Sequence, residues 1–226
     1  VDGLKSTQTV LFDLDGTLID TTALILRCFD HSWSSVCGIT HARESLLDTF
    51  GIPLREAMSR LLARSDQSTA ADRDEIIDRL VDEYRSFNFA NHDLLAAPFE
   101  GARDVVFELQ QRGYQVGVVT SKGREIALRG LKLCEVESLL SAAIFLEDTT
   151  RHKPDPQPIF AALEILNTHP QRAAYVGDSR HDIEAGRRAG VRTVAALWGP
   201  ATRAELEQAR PDHLASSFRD LLEIFD

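Results

Sequence analysis

Four short clusters of reactive side chains stand out along the 226 residues. They are Asp13-Leu14-Asp15-Gly16-Thr17, Thr120-Ser121-Lys122, His152-Lys153-Pro154-Asp155 and Gly177-Asp178-Ser179-Arg180-His181-Asp182. Together they supply carboxylates, hydroxyls and ammonium groups, the equipment for nucleophilic attack, proton transfer and cation binding. Asp13 and Asp15 lie two residues apart where the chain leaves a strand, so their side chains can reach different partners. Asp182 follows Asp178 by one helical turn and shares its face. Taken singly, each cluster is weak. An Asp-x-Asp pair is frequent by chance and can simply end a strand and cap a turn.

The surrounding pattern is what gathers them. Thr9 to Leu14 is an apolar run that reads as a buried strand. From Asp20 to about Asn91 apolar residues recur at helical spacing with no convincing strand: Leu24, Ile25, Cys28, Phe29 and Val36, then Leu54, Met58, Leu61 and Leu62, then Ile76, Ile77, Leu80, Val81 and Tyr84. The polar segment from Arg64 to Asp74 reads as a loop. After Pro98 and Gly101, helices and strands alternate. Helix Ala102–Arg112 leads to strand Gln115–Val119, and a helix from near Gly123 leads to strand Ala142–Leu146. Helix Pro156–Leu166 precedes strand Ala173–Val176. Helix Ser179–Ala189 precedes strand Thr193–Leu197, with a weaker closing helix at Phe218–Ile224. This alternation predicts an α/β fold, a Rossmann-like parallel sheet with helices on both faces. The predicted core spans residues 1–19 and 92–226 and is interrupted by an all-helical insert at 20–91. Parallel strands bring their carboxyl ends to one edge, where such sheets bind ligands. Three clusters fall at those ends, and Lys153 follows the remaining strand by a few residues.

Composition narrows the function. With 25 Lys and Arg against 35 Asp and Glu, the formal charge is −10. So acidic a surface repels nucleic-acid phosphates and demands a local reversal of sign for any anionic substrate. No apolar run is long enough to span a bilayer, and Val1 to Thr9 lacks the character of a secretory signal, so the expected location is cytoplasmic. Cys28, Cys37 and Cys134 lack metal or redox spacing and read as free thiols, buried for preference. The seven histidines form no metal pattern; His31, His41, His169 and His213 read as surface or capping residues, and His181, beside Arg180, as exposed.

The four clusters, in this order, resemble the haloacid dehalogenase superfamily over essentially the whole chain. Asp13 to Thr17 matches its DxDGT signature, Thr120 its strand-end Ser or Thr, Lys153 its basic residue, and Gly177 to Asp182 its glycine-led acids. The resemblance implies that Asp13 attacks phosphorus to form an aspartyl-phosphate and that Asp15 serves as general acid and base. It implies Mg²⁺ held by Asp13, the Asp15 carbonyl and Asp178, with Asp182 holding a metal-bound water or orienting a neighbour. Lys153 would offset the negative charge. Thr120 would give its hydroxyl, and nearby N–H groups, to a phosphoryl oxygen, aided by the positive end of the following helix. Thr17, Ser121 and Lys122 are further substrate-binding candidates, although Lys122 could equally point to solvent.

The helical insert falls where this superfamily places a cap that closes over the site and supplies specificity. Phe50 to Glu56 resembles its specificity loop, making Arg55 a candidate for the substrate's far end; pairing with a surface acid is the equal alternative. Asp15 argues against a dehalogenase, which would lack the second acid. Tyr84-Arg85-Ser86-Phe87-Asn88, His92-Asp93 and Phe99-Glu100-Gly101 resemble a pyrophosphatase branch. The fourth cluster and Leu197-Trp198-Gly199 are more similar to phosphoglycolate phosphatases. The expected partner is therefore a small phosphorylated compound, with neither nucleic acid nor membrane. A sugar phosphomutase and a non-catalytic phosphate-binding module are the other readings, and the oligomeric state stays open.

Overall fold

A computed structural model describes residues 7–65 and 72–226. Its central sheet is six-stranded, with every pairing parallel. In chain order the strands are β1 (Thr9–Phe12), β4 (Gln115–Val119), β5 (Ala142–Ile144), β6 (Ala173–Gly177), β7 (Arg192–Ala196) and β8 (His213–Ala215), arranged β5-β4-β1-β6-β7-β8. The numbers β2 and β3 belong to Ile19–Asp20 and Ala97–Pro98, which pair antiparallel as a two-stranded ribbon. That ribbon closes the neck of the insert. At two residues per strand it is too short to show any periodicity, which is why the sequence pattern missed it.

Side chains of β1 alternate across the sheet as pleating requires. Val10 and Phe12 enter one apolar cluster, Leu11 the opposite one. The first face is covered by α5 (Ala102–Gln111), α6 (Arg124–Leu133) and α10 (Phe218–Ile224); the second by α7 (Gln157–Ile165) and α8 (Arg180–Ala189). Helix α9 (Arg203–Gln208) docks Leu206 against Ile183 and Ala195. Neither α9 nor β8 was visible in the sequence, being short and largely polar. The strand expected through Leu146 stops at Ile144, and that expected over Thr193–Leu197 is shifted by one residue.

The insert consists of α1 (Thr22–Cys37), α2 (Arg43–Leu47), α3 (Leu54–Ala63) and α4 (Arg73–Leu95). These helices bury a core of their own around Trp33, Met58, Leu61, Leu62 and Leu80. α1 faces both ways: Phe29 and Trp33 enter the insert's core, while Leu24 and Cys28 join the sheet's. The expected boundary at residue 91 lies inside α4, which continues to Leu95 because no glycine or proline interrupts it before Pro98. Arg129 of α6 binds this last part of α4. It pairs with Asp93 at 2.8 Å, donates to the Phe89 carbonyl at 2.6 Å, and lies over the Phe89 ring. Of the loop expected between Arg64 and Asp74, residues 66–71 lie outside the described residues, and Arg73 already begins α4. No helix among the described residues is long and apolar enough to cross a membrane.

Leu80 is fully buried in the insert's core. Leu80→Ala should cost about 2–5 kcal/mol of stability through lost transfer energy and a residual cavity. Urea unfolding measures this directly, and a loss below about 1 kcal/mol would contradict the packing described.

Candidate active site

Phe12 of β1 is in register with Val118 of β4 on one side and Val176 of β6 on the other. The residues that follow therefore emerge together: Asp13 after β1, Thr120 after β4, Asp178 after β6. Lys153 arrives from the long connection between β5 and α7. Asp13, Lys153, Asp178 and Asp182 are all buried.

Lys153 is the hub of the cluster. Its Nζ donates to Asp182 Oδ1 at 2.6 Å and to the Tyr175 hydroxyl at 3.1 Å. It pairs with Asp13 Oδ1 at 2.8 Å, an oxygen that has no aligned hydrogen bond. Burial by itself would lower the lysine's pKa, but the charges of Asp13 and Asp182 prevail and raise it, keeping the ammonium protonated. Burial would likewise raise Asp182, yet Lys153 and hydrogen bonds from Lys153 and Ser179 hold it below the usual carboxylate range.

One ammonium cannot balance three carboxylates. Burial first, then opposition from neighbouring acids, pushes Asp13 up to about 7 and Asp178 well above the ordinary carboxylate range. Ligand oxygens of Asp13, Asp178 and Asp182 all fall within 4.8 Å of one another. Glycines make this crowding possible. A Cβ on Gly16 would lie 2.3 Å from Asp178 Oδ2, one on Gly199 2.3 Å from Asp178 Cβ, and one on Gly177 2.3 Å from Asp182 Cβ. An all-oxygen, acid-rich cradle with an under-bonded Asp13 oxygen suits a hard divalent cation. Asp13 and Asp178 have the capacity to hold it.

Asp182, grouped with the metal ligands on sequence grounds, has both oxygens engaged. Oδ1 takes Lys153, and Oδ2 accepts the Ser179 N–H at 3.0 Å within the box that caps α8. Its contacts orient Lys153, the second of the two roles the resemblance offered. Thr17 is corrected as a substrate-binding residue: fully buried, it donates to Asp178 Oδ1 at 2.7 Å and fixes that carboxylate. Asp15 accepts from Thr21 Oγ1 at 2.7 Å and from Lys122 Nζ at 2.6 Å, so Lys122 turns inward.

Thr120 faces a cavity of about 390 Å³. Its Oγ1 accepts from Lys122 N at 3.2 Å, leaving its proton free to donate, whereas its own N–H is spent on the Ile144 carbonyl. The positive end of α6 is occupied as well, since the Arg124 N–H meets the Glu147 carboxylate. Ser121 Oγ donates to the Gly51 carbonyl at 2.9 Å, tying the sheet edge to the insert. Arg55 does not line the cavity. It is about half exposed and pairs with Asp74 and Asp78, the surface-pair alternative. His181 is buried rather than exposed, covered by the loop through Gly51, where an added Cβ would lie 3.7 Å from its own. Cys28, Cys37 and Cys134 are free thiols, with Cys37 only partly buried.

The sequence gives no sign of two contributions to the site, one from Tyr175 and one from the Trp198 indole. Tyr175 lies in an apolar strand and carried no polar signature, yet its hydroxyl bridges Lys153, Asp182 and the Val119 carbonyl. Trp198 Nε1 donates to the Thr17 carbonyl at 2.9 Å, bracing the turn behind Asp13.

Comparison with known proteins gives the family and the fold. A family model for the haloacid dehalogenase-like hydrolases matches residues 10–196. A pyrophosphatase, PpaX, from Bacillus cereus is 37% identical over 217 residues, covering 96% of this chain and 95% of its own. Among solved structures, a predicted phosphoglycolate phosphatase from Haemophilus somnus superposes with a TM-score of 0.85 at 22% identity, covering 99% and 100% of the two chains. A hydrolase from Pseudomonas syringae gives 0.84 at 23%, covering 96% and 97%. At such identities the two structures speak for the fold alone. The chain belongs to the haloacid dehalogenase-like hydrolase family and is an enzyme of its phosphatase type.

Two outcomes follow from the acid cluster. Because the folded pKa of Asp13, about 7, lies above its ordinary 3.8, the folded state holds an extra proton between these values. Metal-free stability from this group therefore falls as pH rises through that window, and a cation must displace the proton. Excess Mg²⁺ or Mn²⁺ should raise the melting temperature more at about pH 8 than at about pH 5.5; an equal rise at both would contradict the site. In Gly199→Ala the new methyl must displace Asp178, and the cation-induced rise should largely vanish.

Proposed function

We propose that this enzyme is a Mg²⁺-dependent phosphohydrolase of small phosphorylated compounds, pyrophosphate or a phosphoglycolate-like phosphomonoester, acting through an aspartyl-phosphate. The observation that carries this reading is Asp13. It is a buried carboxylate at a strand end beside a protonated Lys153, with one oxygen under-bonded and a second acid, Asp15, two residues on.

Asp13 forms a bond to phosphorus as the bond to the leaving oxygen breaks, and Asp15 supplies that oxygen's proton. Water then attacks the aspartyl-phosphate, Asp15 takes its proton, and orthophosphate departs with Asp13 restored. Lys153 offsets the charge gathered on Asp13 and the phosphoryl group, and the free Thr120 proton serves a phosphoryl oxygen. Bound between Asp13 and Asp178, Mg²⁺ would neutralise the acids and polarise phosphoryl oxygen. Support for these roles comes from the buried acid cluster and from the family to which the chain belongs.

The helical insert is proposed to be the cap. Its residues Phe29, Ile52 and Tyr84 line the same cavity as Asp13 and Lys153, so a substrate held there is shielded from both sides. The Bacillus relative's name supports pyrophosphate as one substrate. A cytoplasmic setting accords with three free thiols.

Phosphate release from pyrophosphate and phosphoglycolate should require Mg²⁺, cease in EDTA, and fall to background in Asp13→Asn. Asp15→Asn should lower kcat by about 10²–10⁴-fold, the usual worth of a general acid–base. Equal, substantial release from wild type and Asp13→Asn would refute the assignment of the nucleophile.

A further inference from the structure

Three cationic side chains line the cavity: Lys122, Lys153 and Arg85. Two are committed, Lys122 to Asp15 and Lys153 to Asp13 and Asp182. Arg85, on the cavity side of α4, is exposed and has no ion pair or hydrogen bond among the described residues. In a chain carrying ten more acidic than basic residues, where both other cations of this cavity are held by acids, a guanidinium left over at the cavity wall calls for an explanation.

One turn along the same helix face stands Asn88, 5% exposed and also lining the cavity. Its nitrogen donates to Cys28 Sγ at 3.6 Å and the side chain also bonds Tyr84, while its amide oxygen has no partner. Buried amides are normally satisfied, so this free acceptor, one turn from Arg85, is available to a donor such as a guanidinium N–H. The rest of that wall, including Ile25, Phe29 and Tyr84, offers no other charge.

We propose that Arg85 is the specificity-determining residue, and that it reads a second anionic group on the substrate beyond the phosphoryl that Asp13 attacks. This rests on the phosphohydrolase reading and narrows it to doubly anionic compounds. A guanidinium grips either a phosphate or a carboxylate through paired N–H donors, so the second group is one of these two. Division of labour explains the arrangement. The cations at the sheet edge are consumed by catalytic acids, and recognition of the remote group falls to the one cavity-lining cation that no acid among the described residues holds.

The test compares kcat/KM of wild type and Arg85→Gln for pyrophosphate, for phosphoglycolate and for phenyl phosphate, which has no second anion. Loss of a charged hydrogen bond should lower kcat/KM for pyrophosphate, phosphoglycolate or both by about 10- to 100-fold, with phenyl phosphate changed by less than about threefold. Which of the two falls further identifies the group as phosphate or carboxylate. Arg85→Lys should recover part of the loss, and Arg55→Gln should change nothing. A uniform fall across all three compounds would overturn the proposal, because that is what a structural contact, such as pairing with Glu125 across the cavity, would give. No fall in any would overturn it too. If wild type cleaves phenyl phosphate but neither doubly anionic compound, the specificity fails while the phosphohydrolase stands. If wild type releases phosphate from none of them, both fail.

Discussion

Lys153 sits between Asp13 and Asp182 with its side chain almost wholly out of water, and the rest of the site is arranged around that ammonium. Withdrawing a charge from solvent is costly, and a buried pair recovers the cost only when every remaining donor and acceptor is met. Here the accounting is nearly complete on one side and deliberately short on the other. Asp182 is bonded through both oxygens, and Tyr175 and Ser179 exist in the cluster largely to achieve this. Asp13 is left with an oxygen that lacks an aligned partner, and Asp178 with a carboxylate held by Thr17 alone on one oxygen. The deficit lies where a reacting group and a cation would be needed.

Such a concentration of like charge can be built only where backbone approaches side chain closely. Gly16 and Gly199 lie in separate connections and Gly177 ends β6, and each leaves room for an aspartate that a methyl group would displace. For Gly16 the requirement is double, since its φ of +80° already favours glycine. Register does the remaining work: β1 lies between β4 and β6, so their reactive termini cannot avoid one another.

Much of this was legible in the sequence because both signals are local. A strand's apolar run and the polar cluster at its end lie within a few residues, and strand–helix alternation then dictates where those ends meet. What stayed hidden depends on contacts between distant residues. Thr17 belongs to the right motif, but its hydroxyl serves Asp178, 161 positions away. Tyr175 looks like core because it is core; only its hydroxyl reaches the charges. His181 gave every local sign of exposure until the loop at Gly51 covered it. Arg55 was the arginine the local motif singled out, yet it stands away from the cavity with Asp74 and Asp78, while Arg85 lines the cavity unpaired among the described residues. The β2–β3 ribbon and β8 were too short to leave a rhythm.

The grip of Arg129 on the end of α4 has a mechanical meaning. A 23-residue helix clamped near Asp93 is a stiff lever whose fulcrum rests on the catalytic half of the molecule. At about 1.5 Å per residue, Arg73 lies about 30 Å from that fulcrum and Arg85 about 12 Å. A tilt of about 10° would sweep the tip through about 5 Å while shifting Arg85 by only about 2 Å, from the same helical rise. Any tilt about that clamp therefore moves the rim of the insert more than about twice as far as the residues nearest the cavity, as with the long and short arms of a balance.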